Sequence, residues 1–162
     1  MRRATVLAFL IGGVLGAGAG FAGGLFLFPF LFPPPAGTDT LAETERARTI
    51  ATGTFIHADP SDPVHYGSGR VTVTAQSVFL EADFKVGPGP AYHVYLSPRA
   101  EVRRSADITA APFVDLGRLR AFEGSQRYAL PPGIDLSRYR SVVIWCAEFS
   151  VLISPADLAP AR

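Results

Sequence analysis

The chain has 162 residues, 48% of them hydrophobic, and its 15 basic and 14 acidic side chains give a formal net charge of +1. This length accommodates one domain of ordinary size and an appendage. Without Arg2 and Arg3, which precede the first apolar run, 13 basic side chains stand against 14 acidic ones, and a near-neutral chain without a basic run excludes the electrostatic footprint of a nucleic-acid-binding protein.

The first predicted element is a transmembrane helix within residues 1–32. The 29 residues from 4 to 32, ATVLAFLIGGVLGAGAGFAGGLFLFPFLF, carry no charge, and a membrane-spanning helix needs about 20 apolar residues. Pro29 is expected to end the helix, because proline lacks an amide donor and clashes with the preceding turn. We predict an uncleaved anchor; the alternative is a cleaved signal peptide, whose apolar core is usually shorter than this run.

The charge distribution predicts the orientation of this helix. Arg2 and Arg3 lie just before it, and positively charged flanks stay in the cytoplasm. The chain is therefore expected to be a single-pass protein of the cytoplasmic (plasma) membrane, with its N-terminus inside and its C-terminal domain extracytoplasmic. Residues 33–49, which begin PPPAGTDT, are predicted to form an extended, proline-rich linker or stalk.

Glycines recur every fourth residue in the apolar run, at Gly12, Gly16, Gly20 and Gly24. At about 3.6 residues per turn they form one ridge without side chains, and such ridges let helices approach closely in lipid. We predict self-association through this ridge, or docking on the helix of a partner. The alternative is that a glycine-rich membrane segment contains this spacing by composition alone.

Residues 50–159 are predicted to form an all-β domain, an antiparallel β-sandwich or a barrel-like sheet. Three runs alternate apolar and polar residues: RVTVTA at 70–75, VFLEADF at 78–84 and AYHVYLS at 91–97. The turn sequences YGSG, GPGP and PPG punctuate the domain, and no long run has the 3.6-residue period of a helix. Short alternating strands between such turns are typical of antiparallel sandwiches and barrels.

The longest apolar run of this domain is SVVIWCAEFSVLI, residues 141–153, which is predicted to be one central strand. It contains Trp145 and Cys146, the only tryptophan and the only cysteine of the chain. Alternation places Trp145 and Phe149 on one face, which we predict to be the core, and Cys146 with Glu148 on the other face.

Several short motifs follow one another between residues 53 and 158. They are HYGSG at 65–69, Phe84, GP at 89–90, YLS at 95–97, LG at 116–117, Gly124, Tyr128 and WCAEF at 145–149. In order and spacing they resemble the electron transfer DM13 domain family. The resemblance implies an all-β, secreted or membrane-tethered domain with a hallmark cysteine for which a redox role has been proposed. In animal relatives, haem-binding DOMON domains and membrane cytochromes accompany the DM13 domain. This sequence resembles neither of these companions, so its electron partner is expected to be another molecule.

Cys146 is the principal candidate site residue, and three interpretations stay open. It is a buried structural cysteine, because free cysteines are among the most buried residues; a redox thiol or a metal or haem ligand; or half of an intermolecular disulfide. His65 is the weaker candidate, as a second ligand or as a group that orients the cysteine, and its alternative is a turn histidine bonded to backbone. The cofactor is unknown: haem or a metal follows from the resemblance alone, and no cysteine or histidine spacing typical of a metal site is present.

Two functions are consistent with these features. The first is a membrane-tethered redox module centred on Cys146, and the second is a non-enzymatic binding or adhesion module of the cell envelope with a structural cysteine. An ordinary enzyme is disfavoured, because YGSGR lacks the first glycine of the G-x-S-x-G hydrolase motif and no other catalytic signature is present.

Overall fold

The computed structural model describes residues 2–161, apart from the side chain of Phe26. These residues form two compact units that meet in the sequence after Pro33. The first unit is an apolar helix and the second is a β domain.

Helix α1 (Arg2–Leu31) contains 30 residues. Its segment Arg2–Leu25 has a mean hydropathy of 1.9 and is long and apolar enough to cross a membrane. The prediction that Pro29 ends the helix was wrong, because the helix continues for two residues beyond it. Proline removes only its own amide donor here, and the last turn still closes through a 2.9 Å hydrogen bond from the Phe32 amide to the Phe28 carbonyl.

The second unit is built from short strands, which confirms the all-β prediction. The strands are β1 (Gly37–Thr38), β2 (Ala51–Phe55), β3 (Gly67–Ser68), β4 (Arg70–Val73), β5 (Ser77–Leu80), β6 (Lys85–Val86), β7 (Tyr92–Ser97), β8 (Val114–Arg118), β9 (Gly124–Ala129), β10 (Ser141–Cys146) and β11 (Val151–Pro160). The helical turns are α2 (Glu43–Arg46), α3 (Ser105–Thr109) and a 3-10 turn at Leu136–Arg138.

Nine of these strands form one sheet in the order β1-β9-β5-β4-β2-β11-β10-β7-β8, beside a small β3–β6 ribbon. Although β8 and β9 follow each other in the chain, seven strand-to-strand steps separate them in this order. At about 4.8 Å per step, a flat sheet would hold them about 34 Å apart, whereas the chain from Arg118 to Gly124 reaches only about 20 Å. The sheet is therefore curled toward closure, which is the barrel-like form of the predicted fold.

The main core fills the inside of this curled sheet. Its largest fully buried side chains are Leu80, Phe84, Leu96, Ile144 and Ile153. A smaller cluster, here called the outer cluster, lies against the other face of β7, β10 and β11. Its buried members are Tyr95, Val102, Ile108, Val143, Trp145 and Leu152. Strands β7 and β10 are thus covered on both faces.

The predicted core face of the Trp145 strand was wrong. The main core contains Val142, Ile144 and Cys146, whereas Trp145 belongs to the outer cluster and Phe149 is 46% exposed. Because both faces of β10 are buried, alternation alone could not tell which face meets the larger core. The run 141–153 is also two strands rather than one: β10 ends at Cys146, and a turn over 147–150 leads into β11.

Residues 37–46, here called the strap, lie along the β domain although an extended linker was predicted for them. β1 pairs with β9 in parallel, and the Arg127 guanidinium donates to both carboxylate oxygens of Glu45, at 2.5 and 2.8 Å. The Arg46 guanidinium donates to both oxygens of Glu81, at 2.8 and 3.1 Å. The linker therefore supplies an edge strand and two bidentate ion pairs to the domain.

Candidate functional site

Cys146 is the last residue of β10 and lies in the main core, where only 2% of its surface is exposed. It stands opposite Tyr92 on β7 and Val151 on β11. The Ala147 amide donates to the Ala91 carbonyl at 2.9 Å, which holds the two strand ends together beside the sulfur. The thiol is thus a buried group at the C-terminal end of β10, between β7 and β11.

The Tyr92 phenol is the cross-strand neighbour of the thiol. Its hydroxyl donates to the Pro88 carbonyl over 3.4 Å. Burial raises the pKa of Tyr92, and the negative fields of Cys146, Tyr66 and Asp62 raise it further.

Gly89 lets the loop before β7 close over the Tyr92 ring. A Cβ atom at this position would collide with the Cε1, Cζ and hydroxyl atoms of that ring. The close approach requires a residue without a side chain, which gives the GP motif at 89–90 a physical reason: it covers the phenol beside Cys146.

His65 lies in a turn that Asp62 organises. The His65 Nδ1 donates to the Asp62 carboxylate at 2.6 Å, and the amides of Val64 and His65 donate to the same side chain at 2.9 and 3.1 Å. The His65 hydrogen bond, and then the two amides, lower the pKa of Asp62 from 3.8 to about 2. Because Nδ1 is engaged by Asp62, Nε2 is the ring nitrogen of His65 that remains for a ligand.

The other two histidines lie in different settings. His57 Nε2 donates to the Asp62 carbonyl at 2.7 Å and its ring packs edge-on against Tyr66, so that it supports the same turn. His93 lies on β7 and its Nδ1 donates to the Asp115 carboxylate on β8 at 2.9 Å. His93 therefore belongs to the opposite face of β7 from Tyr92.

The structure pairs Cys146 with Tyr92, and the described residues show no bond between Cys146 and His65. Glu148 was predicted to share the face of Cys146, yet it is an exposed residue of the 147–150 turn, because the strand ends at the cysteine. Within residues 2–161, no group of three or more His, Cys, Asp or Glu side chains could hold a metal ion. A cleft of about 770 Å³ exists across β2 and β4, and neither Cys146 nor His65 lines it. Cys146 and His65 therefore do not belong to a metal-binding group of that kind.

Residues 60–158, more than half of the chain, match the family described as Electron transfer DM13. The chain belongs to the electron transfer DM13 family. The matched part of this DM13 chain contains His65, Tyr92 and Cys146, and family membership relates it to electron transfer. The match begins after β2, although β2 pairs with β4 and β11 in the same sheet. No curated protein and no solved structure is significantly similar to the chain.

Sequence reasoning missed two members of this DM13 site, Tyr92 and Asp62. The Tyr92–Cys146 pairing depends on the register of β7 against β10, which no local pattern encodes. Asp62 had a local signal, since a carboxylate three residues before a histidine, in an SDP turn sequence, favours a side-chain bond between them.

Proposed function

We propose that this DM13 chain is a membrane-tethered, extracytoplasmic electron-transfer module in which Cys146 is the redox group. The observation that carries the proposal is the DM13 match, which includes the cysteine. The apolar helix α1 supports the membrane attachment. Arg2 and Arg3 before it support a cytoplasmic N-terminus, and hence a β domain on the other side.

The chemistry proposed for Cys146 is the exchange of a single electron. The thiol gives one electron to an external one-electron acceptor, such as the metal centre of a partner protein, and its proton passes to water. The reverse step returns both. The adjacent Tyr92 phenol is itself oxidisable, and its burial keeps it protonated and neutral beside the sulfur. His65 remains a weaker proposal, as a group that orients the end of the site through Asp62.

The second candidate function is a non-enzymatic binding module of the cell envelope. The burial of Cys146 favours it, because a side chain that is 2% exposed and packed in the main core has the environment of a structural cysteine. In that case the sulfur contributes packing, and the surfaces of the domain carry the function.

One experiment separates the two functions. The full chain in detergent micelles is oxidised with a photogenerated one-electron oxidant, and sulfur-centred radicals are measured by spin trapping. We expect a signal in the wild type that is lost in Cys146→Ala, while the Tyr128→Phe control, at a buried phenol on β9, keeps it. If no sulfur radical forms, and a maleimide labels the thiol only after denaturation, Cys146 is structural and the binding module is favoured.

A labelling experiment tests the proposed orientation. Because the only cysteine of the chain is buried, Cys146→Ala provides a background without thiols, and Ser61→Cys adds one in an exposed turn. A membrane-impermeant maleimide added to intact cells should label Ser61→Cys in this background. Labelling that requires cell lysis would place the domain in the cytoplasm and contradict the orientation.

A further inference from the structure

Three aromatic rings form a column that runs from the surface of the β domain into the outer cluster. Phe113 stacks on Tyr95 with ring centroids 4.2 Å apart and an interplanar angle of 10°. Tyr95 in turn stacks on Trp145 at 6.2 Å and 25°. The three rings, here called the ring column, are close to parallel.

Exposure falls along the ring column. Phe113 is 43% exposed, whereas Tyr95 is 6% and Trp145 is 4% exposed. Phe113 also lines a cleft of about 240 Å³ together with Pro98, Arg138 and other residues. The column therefore joins a surface cleft to a buried indole.

Polar groups flank the middle ring. Tyr95 on β7 pairs in register with Asp115 on β8, and the field of that carboxylate acts on the phenol. The His93 ring lies edge-on to Tyr95 at 6.2 Å and donates to Asp115. The carboxylate of Asp115 accepts from His93 and from the Gly117 amide, so that it acts on the phenol through its charge rather than through a hydrogen bond.

The inner end of the ring column lies beside the proposed redox residue. Trp145 and Cys146 are consecutive on β10, with the indole in the outer cluster and the sulfur in the main core. A single peptide unit of β10 therefore connects the indole on one face of the sheet to the sulfur on the other face.

We propose that Trp145 and Tyr95 form a relay for single electrons, which enter the domain at the cleft beside Phe113. The inference deepens the proposed electron-transfer function and rests on it for its role in the cell. It adds a second pair of oxidisable residues and a surface at which an electron partner acts.

Trp145 gives one electron to an external metal-centred oxidant and becomes an indole radical cation. Tyr95 reduces the indole, its phenolic proton passes to water, and a neutral tyrosyl radical remains. A one-electron donor at the Phe113 cleft then reduces the tyrosyl radical, and a proton returns to the phenol from water. In sum, one electron moves from donor to oxidant and the protein is unchanged.

Because the chain has a single tryptophan, the inner step can be observed directly. The full chain in detergent micelles is excited with light that indole absorbs and phenol does not, in the presence of an external electron acceptor. Transient absorption follows the indole and tyrosyl radicals. We expect the indole radical to decay at the rate at which the tyrosyl radical forms, independently of protein concentration.

Two variants assign this step to Tyr95. Tyr95→Phe keeps the stacked ring and removes the oxidisable phenol, so that the indole radical should persist many-fold longer and no tyrosyl radical should form. Tyr128→Phe, the matched control, removes a different buried phenol, on β9, and should behave as the wild type. Equal indole decay in Tyr95→Phe and in the wild type would overturn the relay.

A second measurement tests where electrons enter. Ferrocyanide, an anionic one-electron donor, is added after the flash, and the decay of the tyrosyl radical is measured against its concentration. Arg138→Gln removes the cation of the Phe113 cleft and should slow this decay several-fold, whereas Arg48→Gln, an exposed arginine elsewhere, should not. An unchanged rate in Arg138→Gln would overturn the assignment of this cleft.

The same flash experiment in Cys146→Ala separates the relay from the proposed function. Transfer from Tyr95 to Trp145 should persist in this variant, because neither residue uses the sulfur for that step. If Cys146 proves structural while the transfer persists, the Cys146 proposal fails and the relay stands. If transfer is absent while the sulfur radical forms, the relay fails alone.

Discussion

Asp62 combines three hydrogen bonds in one exposed turn. Its carboxylate accepts from the His65 ring and from two backbone amides, and each of these bonds favours the ionised form of the acid. The pKa of Asp62 in the folded chain is therefore about 2, below its ordinary value of 3.8. The turn that carries His65 is therefore held by the Asp62 carboxylate, whose charge depends on pH.

This pKa shift predicts a pH dependence of stability. A depressed carboxyl pKa stabilises the fold fully above 3.8, and the contribution is lost as the pH falls toward about 2. The difference in unfolding free energy between the wild type and Asp62→Asn, from urea titrations of the full chain, should be constant near neutral pH and shrink over this acid window. A difference that does not change with pH would show that the charge of Asp62 contributes nothing.

The sequence identified the residue types at this site but not their partners. Cys146 and His65 stand out by their motif and their turn sequence, both of which are local features. Tyr92 joins the site only because β7 and β10 pair with Cys146 opposite Tyr92. Register between strands distant in sequence is a property of the whole sheet, so that local patterns cannot supply it.

At the level of elements, the strap depends on charge-assisted hydrogen bonds. Asp39 accepts from the Arg120 side chain and from the Arg127 amide, and both bonds lower the pKa of Asp39. Arg127 also holds Glu45 and donates to the Thr40 carbonyl at 2.9 Å. One arginine thus contacts the strap at three of its residues.

Arg127→Ala should release the strap while the sheet stays folded. Amide hydrogen exchange of Gly37 and Asp39, which donate to β9 and the residue before it, should become several-fold faster, because opening no longer breaks the Glu45 and Thr40 bonds. Exchange in β10 should not change. Arg104→Ala is the matched control, since that side chain is 82% exposed and its nearest carboxylate oxygen is 3.9 Å away. Equal exchange in both variants would show that Arg127 does not hold the strap.

The glycine ridge of α1 remains a proposal about this element. Cβ atoms built at Gly12, Gly16, Gly20 and Gly24 would meet nothing within 4 Å, so the described residues leave the ridge open. Open small-residue ridges allow close helix approach in lipid. We propose that a second α1 helix, or the helix of a partner, packs there.

Gly16→Ile with Gly20→Ile should abolish this association. The branched side chains block close approach of the backbones while keeping the segment apolar, so membrane insertion should be intact. Crosslinking in membranes measures the association, and Leu7→Ile with Leu15→Ile serves as the control. Unchanged crosslinking would show that the glycines reflect composition alone.

At the scale of the whole molecule, the connection between β8 and β9 joins distant strands of the curled sheet, and its backbone needs hydrogen-bond partners. The Gln126 side chain, which is 1% exposed, supplies these partners. Its oxygen accepts from the amides of Arg120 and Ala121 and from the Tyr128 hydroxyl, at 2.9–3.1 Å. Its amide nitrogen donates to the Ala121 carbonyl at 2.8 Å. One side chain thus provides hydrogen-bond partners for two backbone amides and one carbonyl of the connection between β8 and β9.

Gln126→Leu should destabilise the domain by about 2–4 kcal/mol, because it leaves the amide and the carbonyl of Ala121 without their partner in a buried place. Urea unfolding of the full chain measures the change. Gln76→Leu, at an exposed position, should alter stability by less than about 0.5 kcal/mol. A similar small effect of Gln126→Leu would show that water replaces the side chain.

The fold class could be predicted from the sequence, whereas the closure of the sheet could not. The alternating runs at 70–75, 78–84 and 91–97 correspond to β4, β5 and β7, although β5 ends at Leu80, where a turn closes through the Phe84 amide and the Glu81 carbonyl. The strap, by contrast, was predicted to be a linker, because its two-residue strand is too short to show the alternation of apolar and polar residues that identifies a strand. Its docking depends on Arg120 and Arg127, which lie more than 80 residues away in the chain.

The pairing of β2 with β11 also sets when the domain can fold during synthesis. Ala51 lies opposite Pro160, so the central part of the sheet joins its second strand to its last. At about 5–20 residues per second, a ribosome needs roughly 5–20 s to add the hundred or so residues between them. During that interval β2 lacks the partner strand on one of its edges, and Val71 and Val73 lack the part of the main core that β11 supplies. We expect chains that stall before β11 to aggregate more readily than completed chains, because the unpaired edge of β2 stays open to other strands.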